Sequence, residues 1–346
     1  MSRMLEEIRQ QPETLARTLS SAIRPIERFK RVLAARRPKL IVLVARGTSD
    51  NAALFGRYLL EISTGIPVSL AAPSIATLYG ARVDYRGALV VALSQSGEST
   101  DTNLVLERAR AQGALTLGIT NESGSALARI AEHVLFVRAG RERAVAATKT
   151  YTGQMLMMYL LAYALGGRVH IADLERIPQA VDGALSLEEE IDALSSRYRF
   201  MRHAVVVGRG LNYSNAFEFA LKMMETCYVV AERFSSADFL HGPIALVEQD
   251  FPVFAFAPSD VTWPSLSETL VKLKELRAEI VAIADPSNRE VEAHATRMIR
   301  LPKRLKGTLT PIPYIVPAQL FAATLAKEKG LDPDKPRTIR KVTLTL

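Results

Sequence analysis

The sequence predicts an α/β protein with two tandem domains, each a doubly wound parallel sheet flanked by helices. Short apolar runs occur in two sets, in the same order and at nearly constant spacing, and helical patterns separate the runs. Strands that alternate with helices are typical of right-handed βαβ units. The length of 346 residues also suits two domains, at roughly 100–200 residues each.

The internal repeat consists of four pairs of apolar runs rich in β-branched residues. Continuous runs of this kind are typical of parallel strands, because helices cover both faces of such a sheet. The paired runs are offset by 163 to 165 residues: 41–44 with 204–207, 90–96 with 253–259, 118–120 with 283–285, and 134–137 with 298–301. Helical patterns follow at 99–112 and 265–279. Four pairs in one order predict a duplicated domain.

The repeat divides the chain into five parts. We expect a helical arm at 1–34, a first domain at 35–165, a helical linker at 166–195, a second domain at 196–330 and a tail at 331–346. The tail contains Asp332-Pro333-Asp334-Lys335-Pro336, and proline lacks the backbone N–H that a helix interior requires. The tail is therefore either a frayed end or a segment pinned over another part of the chain.

Composition and charge exclude several classes of protein. With 48% hydrophobic and 23% charged residues, the chain is not a disordered one. Its longest purely apolar run, 155–165, is too short for a membrane span of about 20 residues. A single cysteine, Cys227, excludes an intrachain disulfide and CxxC-type zinc motifs. The net charge of +8 is scattered, without a helix-turn-helix motif. We expect a soluble cytoplasmic protein that binds neither membrane nor nucleic acid.

The loop after the second predicted strand is rich in hydroxyl groups. Ser94-Gln95-Ser96-Gly97-Glu98-Ser99-Thr100 precedes a predicted helix, and Thr48-Ser49 follows the first strand. Ligands of doubly wound sheets bind beyond the carboxyl ends of the strands, and a helix N-terminus favours an anion there. An ordinary serine-rich helix cap is the simpler interpretation. The number of hydroxyl and amide groups exceeds what capping needs, so we expect a phosphate site in the first domain.

The second domain supplies ionisable side chains. Glu218, Lys222 and Glu225 have helical spacing, which predicts one shared helix face; a solvated stripe of charges is the alternative. His241 lies in a predicted loop before Gly-Pro, where functional residues are frequent. No metal-ligand spacing and no P-loop are present, and Gly208-Arg209-Gly210 lacks the third glycine of a dinucleotide motif. We therefore expect no metal and no cofactor.

Taken together, the doubled domain, the Ser94–Ser99 loop, Ala146-Ala147-Thr148-Lys149 and His241-Gly242-Pro243 resemble the sugar isomerase (SIS) family. The resemblance is closest to the isomerase half of glucosamine-6-phosphate synthase and, within that group, to the SIS-type glucosamine-6-phosphate deaminases. It implies two tandem SIS domains in a homodimer, with an active site shared between subunits and an ordered tail over that site. It also implies a phosphorylated aminosugar as substrate.

The resemblance assigns roles to individual residues. Glu225 would be the base that moves a proton between C1 and C2, Lys222 would sit beside it and either polarise the substrate or balance the charge, and His241 would open the sugar ring from the partner subunit. The carboxylate and the lysine can each be tuned toward neutral pH by burial and by the neighbouring group. Lys341 corresponds to the lysine that forms an imine with the sugar in the synthase. The sugar phosphate would be bound by Ser49, Ser94, Gln95, Ser96 and Ser99, and Gly47, Thr48 and Val145 would line the substrate.

Two departures from the synthase bear on the reaction. Ala147 stands where the synthase has a serine, and no glutaminase domain with an N-terminal cysteine precedes the first strand. These departures favour deamination of glucosamine 6-phosphate to fructose 6-phosphate and ammonia. The alternatives are a SIS enzyme acting on galactosamine 6-phosphate or a fructosamine 6-phosphate adduct, a fructose-6-phosphate aminotransferase without a glutaminase, and a non-catalytic phosphosugar sensor.

Overall fold

The computed structural model describes residues 2–339 and 341. The part of the chain that it describes forms two compact units. The first unit contains 13–143, 147–176, Ile339 and Lys341, and the second contains 2–12, 144–146 and 177–338. Each unit holds one five-stranded sheet whose paired strands are all parallel. The predicted α/β fold class and the duplication are confirmed.

The first unit has the strand order β2-β1-β3-β4-β5. Its strands are β1 (Ile41–Val44), β2 (Val68–Leu70), β3 (Leu89–Ser94), β4 (Leu115–Thr120) and β5 (His133–Phe136). Its helices within the repeat are α3 (Thr48–Thr64), α4 (Ser74–Thr77), α5 (Thr100–Ala111), α6 (Ala126–Ile130) and α7 (Lys149–Ala164). Helices α5 and α6 pack with strands β3 and β4, and α3 packs on α7. Strands β1, β3 and β4 are buried throughout, as the continuous apolar runs predict.

The second unit repeats this order as β7-β6-β8-β9-β10, read from the edge that corresponds to β2. The strands are β6 (His203–Gly208), β7 (Val230–Ser235), β8 (Pro252–Phe256), β9 (Glu279–Ala284) and β10 (Arg297–Arg300). The helices that pack around them are α11 (Tyr213–Lys222), α12 (Ser236–Leu240), α13 (Trp263–Glu275) and α14 (Pro311–Glu328). Alternate strand residues such as Val205 and Val253 join α13 in one core cluster. Phe254, on the other face, contacts Phe219 of α11 and Phe321 of α14.

The remaining helices precede or connect the two repeats. They are α1 (Arg3–Arg9), α2 (Gln11–Arg36), α8 (Ile171–Leu174), α9 (Ile177–Leu185) and α10 (Glu188–Ser196). In the second unit, the Asp334 carboxylate accepts hydrogen bonds from the backbone N–H groups of Arg3 and Met4, at 2.7 and 3.0 Å. Residues 331–339, which follow α14, are not helical, as their prolines predict. No helix among the described residues is long and apolar enough to cross a membrane.

Two strands were not predicted from the sequence. The apolar runs indicated four strands in each sheet, whereas each sheet has five. The additional strands, β2 and β7, are edge strands of three and six residues that are partly exposed. A strand with one free edge and one exposed face needs no continuous apolar run. The helix that was predicted at 265–279 is observed at Trp263–Glu275. It ends earlier than predicted, and Glu279 is the first residue of β9.

Candidate active site

The hydroxyl-rich segments of the first unit follow neighbouring strands. Ser49 lies in the first turn of α3, directly after β1, and Ser94 ends β3, which pairs with β1 in parallel register. The chain leaves β1 toward β2 on one side and proceeds to β4 on the other, so β1 and β3 flank the point where the winding direction changes. Ligands of doubly wound sheets bind at this point. The structure therefore places both segments where the sequence predicted a phosphate site.

The conformation of the loop between β3 and α5 is fixed by its own hydrogen bonds. The hydroxyl oxygen of Ser94 accepts from the backbone N–H of Gly97 at 3.0 Å, and that of Ser96 accepts from the N–H of Glu98 at 3.3 Å. Gly97 has φ = +69°, and a Cβ there would lie 2.3 Å from the hydroxyl oxygen of Ser125. Only glycine fits this turn without strain. The loop is thus a rigid scaffold for its hydroxyl groups.

Two helices, α3 and α5, have their N-termini at this end of the sheet. Gly47, with φ = +57°, precedes α3, and Ser99 is the N-cap residue of α5. An ion pair joins the two segments, because the guanidinium of Arg46 lies 2.6 Å from a carboxylate oxygen of buried Asp101. Helix N-termini carry partial positive charge and bind anions well. The arrangement suits a phosphate group.

Lys341 of the tail reaches the same unit. Its ammonium group lies 3.0 Å from a carboxylate oxygen of Glu142. Both residues line a cavity of about 600 Å³, together with Gln95 and Ser96 of the hydroxyl-rich loop. The structure thus brings together three residues that the sequence singled out, Gln95, Ser96 and Lys341. Arg340 and residues 342–346 lie outside the described residues, so the predicted ordered tail is described here only up to Ile339 and at Lys341.

Glu142 is a site residue that sequence reasoning missed. Its fully buried carboxylate accepts hydrogen bonds from the backbone N–H groups of Thr148 and Thr150 at 3.0 and 3.1 Å, and from the hydroxyl of Thr150 at 2.6 Å. Burial alone would raise the pKa of Glu142, but Lys341 and these donors outweigh it and lower that pKa below its ordinary value. The lowered pKa favours the carboxylate form of Glu142, which forms the ion pair with Lys341.

The second unit contains a buried cluster of charges on α11. The Lys222 ammonium lies 2.6 Å from a carboxylate oxygen of Glu225 and 3.4 Å from one of Glu218. The side chains of Lys222 and Glu218 are fully buried, and that of Glu225 is 24% exposed. This burial excludes the alternative of a solvated stripe. Immediately after Lys222 the helix widens into a π-helix, Met223–Cys227, which contains Glu225. Such π-bulges are frequent at functional sites.

The pKa of Lys222 does not move as the sequence led us to expect. Burial disfavours its charged form, but the carboxylates of Glu218 and Glu225 more than compensate and raise the pKa of Lys222 above its ordinary value. The expectation that burial and its neighbour tune this lysine toward neutral pH was therefore wrong. The raised pKa favours the cationic form of Lys222 beside Glu225, which suits charge balance.

The other predicted residues have plainer surroundings. His241 is exposed and follows α12, and among the described residues its side chain has no hydrogen bond or ion pair. Val145 is half-buried and belongs to the second unit. Cys227 is buried, its thiol donates to the carbonyl oxygen of Ala322, and burial raises its pKa to about 11. No group of three or more His, Cys, Asp and Glu side chains within 2–339 and 341 is placed to hold a metal ion.

Comparison with known proteins agrees with the duplicated fold. A family model described as "SIS domain" matches the chain twice, at residues 36–164 and 199–328. The chain belongs to the SIS family. The two matches coincide with the two sheets and their helices, so each unit holds one SIS domain. The hydroxyl-rich loop lies in the first SIS domain, and the Lys222 cluster lies in the second.

Curated relatives of this SIS protein are aminotransferases. The chain is 36% identical over 347 residues to glutamine–fructose-6-phosphate aminotransferase of Pyrococcus horikoshii, and 35% identical over 344 residues to that of Methanothermobacter thermautotrophicus. Each alignment covers 98% of the chain but only 57% and 56% of the relative, so the chain spans little more than half of their length. A solved structure, the C-terminal domain of glucosamine-fructose-6-phosphate aminotransferase from Francisella tularensis, superposes with a TM-score of 0.87 at 29% identity and covers 97% of this chain and 98% of that one.

Proposed function

We propose that the chain converts glucosamine 6-phosphate and water to fructose 6-phosphate and ammonia. The observation that carries the proposal is the pair formed by Glu225, a partly exposed carboxylate, and Lys222, a fully buried cation 2.6 Å away. A carboxylate in this setting is suited to proton transfer between adjacent carbon atoms. Membership of the SIS family supports a phosphosugar as the substrate.

We infer that the phosphate of the substrate binds at the hydroxyl-rich loop of the first SIS domain. Ser94, Ser96 and Ser99 offer hydroxyl groups, and the N-termini of α3 and α5 offer backbone N–H groups with a favourable dipole. Ser49 and Gln95 add a hydroxyl and an amide beside them, and Gly47 and Thr48 line the same turn. Hydrogen bonds from neutral groups to a charged phosphate contribute about 1.5–3 kcal/mol each.

Glu225 would carry out the isomerisation. In the open-chain aldehyde form of the substrate, Glu225 takes the proton from C2, the electron pair of that C–H bond forms a C1–C2 double bond, and O1 takes a proton from water to give an enaminol. Return of the proton from Glu225 to C1, with loss of an N–H proton to water, gives a C2 imine, and water then hydrolyses the imine to the ketone and ammonia. The Lys222 ammonium lies 2.6 Å from the Glu225 carboxylate and balances its negative charge.

We propose that His241 opens the sugar ring from the partner subunit of a homodimer. The exposed position of His241 at the end of α12 supports a role toward another molecule. Mixing inactive Glu225→Gln and His241→Asn chains, with exchange of subunits, would then restore about a quarter of the sites, because half of the dimers contain one intact site. Absence of any restored activity after verified exchange would contradict the shared site.

Cys227 is not suited to act as a glutamine-cleaving nucleophile. Release of ammonia from glutamine by a cysteine requires a thiolate. Cys227 is buried, and burial raises the pKa of its thiol to about 11. The two SIS domains themselves would therefore take the nitrogen from an aminosugar or from ammonia rather than from glutamine.

Lys341 would position the substrate without forming a covalent bond to it. Its nitrogen is held 3.0 Å from the carboxylate of buried Glu142, and this ion pair would have to break before Lys341 could attack a carbonyl carbon. Borohydride treatment of the protein with fructose 6-phosphate should therefore leave Lys341 unmodified, and a stable adduct on Lys341 found by mass spectrometry would overturn this role.

Glu142→Gln should lower kcat/KM about tenfold by releasing Lys341 from its ion pair, whereas Glu122→Gln, which changes another residue that lines the same cavity, should not.

The deciding experiment is an assay of ammonia release with glucosamine 6-phosphate and galactosamine 6-phosphate, with fructose 6-phosphate measured by a coupled enzyme. Release from the gluco substrate with equimolar fructose 6-phosphate is the expected result. Release from the galacto substrate alone would change the substrate and keep the chemistry. If neither substrate releases ammonia but both bind, the proposal fails and a sensor becomes the better interpretation.

Amination of fructose 6-phosphate is a second candidate. The identity of 36% to an aminotransferase over nearly the whole chain favours it. Glutamine would have to be hydrolysed elsewhere, and free ammonia would serve as the donor. Incubation of the protein with fructose 6-phosphate and ammonium chloride, followed by assay of glucosamine 6-phosphate, measures this direction. If one enzyme catalyses both directions, the final ratio of glucosamine 6-phosphate to fructose 6-phosphate at a given ammonia concentration must be the same whichever of the two sugars the reaction starts from.

A further inference from the structure

A second cluster of positive charge lies in the second unit, away from α11's charged side chains. An open cavity of about 750 Å³ adjoins the amino ends of β6 and β7. It is lined by three arginines, a lysine and a histidine, and by no aspartate or glutamate. The basic residues are Arg199, Arg202, His203, Lys329 and Arg337. A concave surface with charges of one sign concentrates ions of the opposite sign.

The cations of this basic cavity are not neutralised. Within residues 2–339 and 341, none of Arg199, Arg202, Lys329 and Arg337 forms an ion pair with a carboxylate. The Lys329 ammonium donates instead to the carbonyl oxygens of Arg199 and Met201, at 3.1 and 2.7 Å. These two bonds use two of its three N–H donors. The third donor and the arginine guanidiniums remain for a ligand.

The surroundings of Lys329 disfavour its charged form. Burial lowers the pKa of Lys329 below its ordinary value; the neighbouring Cys227 acts in the opposite direction, and the charge of Arg202 lowers the pKa further. A lysine on a fully solvated surface keeps most of its hydration, and carboxylates often lie near it. Lys329 is half-buried beside another cation, which is an unfavourable arrangement unless an anion completes it.

An aromatic residue, Tyr228, and two large apolar residues, Phe200 and Val230, also line the cavity. The guanidinium of Arg337 lies 4.4 Å from the centre of the Tyr228 ring, and the Tyr228 hydroxyl accepts from the backbone N–H of Arg337 at 2.8 Å. Phe200 and Val230 also line the cavity and are 68% and 53% exposed. Large apolar side chains at the rim of a cationic cavity offer a surface for the carbon skeleton of a ligand.

We propose that this basic cavity is a binding site for an organic phosphate, distinct from the hydroxyl-rich loop of the first SIS domain. The phosphate group is held by Arg202, Lys329 and Arg337, and the carbon skeleton packs on Phe200 and Val230. Arginine and lysine are the side chains that bind phosphate most strongly. The proposal does not depend on the reaction that the chain catalyses.

The cavity adjoins the segment that contains Glu225. Tyr228 ends the π-helix that contains Glu225, and it does so in a left-handed conformation with φ = +53°. The Tyr228 hydroxyl accepts from the backbone N–H of Arg337. A ligand held by Arg337 therefore lies next to the end of this π-helix.

The test uses the full chain, with phenyl phosphate and inorganic phosphate as probes in calorimetric titrations. The variant Arg202→Gln is compared with Arg304→Gln, which removes an exposed arginine outside the cavity. We expect Arg304→Gln to bind phenyl phosphate as the wild type does, and Arg202→Gln to lose one class of sites or weaken it about tenfold. Phenyl phosphate should bind this class more tightly than inorganic phosphate.

Hydrogen–deuterium exchange locates the binding independently of the hydroxyl-rich loop. Phenyl phosphate should protect amides of 223–230 and 329–337 in wild type and in Arg304→Gln, and should not protect them in Arg202→Gln. Equal titrations of the two variants, or protection confined to the first SIS domain, would overturn the proposal. Equal affinity for the two probes would overturn the part assigned to Phe200 and Val230. Each result stands whether or not glucosamine 6-phosphate is deaminated.

Discussion

The two SIS domains share one strand order but differ in the polar groups beyond their central strands. In the first domain, the turn after β3 offers Ser94, Ser96 and Ser99 at the edge of the sheet. In the second, the corresponding turn after β8 engages its polar groups internally: the Asp260 carboxylate accepts from the backbone N–H and the hydroxyl of Thr262 at 2.8 and 2.6 Å. The same strand order is thus followed by a hydroxyl-rich turn in one copy and by a turn built around a carboxylate in the other.

The helices that follow the first central strand of each domain, α3 and α11, also differ: here the second domain carries the charged side chains and the first carries apolar ones. At the offset of 163 residues, Glu218, Lys222 and Glu225 correspond to Phe55, Leu59 and Ile62 of α3. Phe55 and Leu59 are buried apolar residues, and Ile62 is 63% exposed. Apolar residues fill this position in the fold without any charge, and burying charges is costly. The comparison shows that the fold accepts apolar residues at these positions, so the fold itself does not require buried charges there.

Glu225→Gln should produce the largest effect of the predictions that this comparison allows. The amide keeps the size of the side chain and removes the base, so kcat should fall by about 10²–10⁴-fold while phosphate binding is retained. Ammonia release and calorimetric titration with inorganic phosphate measure the two properties. Glu268→Gln, which changes an exposed carboxylate of α13, is the matched control. A Glu225→Gln protein with near wild-type turnover would show that another group is the base.

Lys222→Met should cost stability, whereas its counterpart Leu59→Met should not. Removal of Lys222 leaves Glu218 buried and Glu225 partly buried without their cation, and breaking such a buried pair costs about 3–5 kcal/mol in the free energy of unfolding. Leu59→Met conserves volume in an apolar site and should cost less than about 1.5 kcal/mol. Urea denaturation of both variants measures the contrast. Equal losses would mean that the cluster is not held by its ion pairs.

Much of the fold followed from the sequence because buried parallel strands leave a continuous apolar pattern. The four strand pairs and the two helices that follow them were confirmed. The edge strands β2 and β7 were not predicted, since β7 carries Glu232 and Arg233 on its exposed positions. The hydrophobic pattern of a short segment does not show whether that segment pairs with a neighbouring strand as an edge strand.

The site was predictable where function follows chain order, and not where it depends on distant contacts. The loop from Ser94 to Ser99 directly follows a strand, so its position at the carboxyl end of the parallel strands could be deduced from the sequence. Glu142 stands among arginines in the sequence, which is typical of a solvated segment. Its burial depends on backbone donors of Thr148 and Thr150 and on Lys341, which is 199 residues away. Long-range contacts of this kind leave no periodic signal.

Ser96→Ala should weaken substrate binding, and Ser259→Ala should not. Ser259 stands at the corresponding position of the second domain, at the offset of 163 residues, and is exposed. Loss of one hydrogen bond to a phosphate corresponds to about a tenfold increase in KM. Steady-state kinetics with glucosamine 6-phosphate measure both variants, and a similar change in the two would show that the domains share phosphate binding.

Cys227 should give the smallest effect and a distinct dependence on pH. Its pKa in the folded protein, about 11, is above the ordinary value of 9.0, so the buried thiol contributes stability below pH 9.0. That contribution is lost as pH rises through about 11, because the unfolded chain ionises first. The difference in unfolding free energy between wild type and Cys227→Ala should therefore decrease from pH 9 to pH 11, as measured by urea denaturation. At pH 8, iodoacetamide should leave both the thiol and turnover unchanged. Rapid alkylation at that pH would show that the second domain does hold a reactive thiolate, and would reopen glutamine as the source of ammonia.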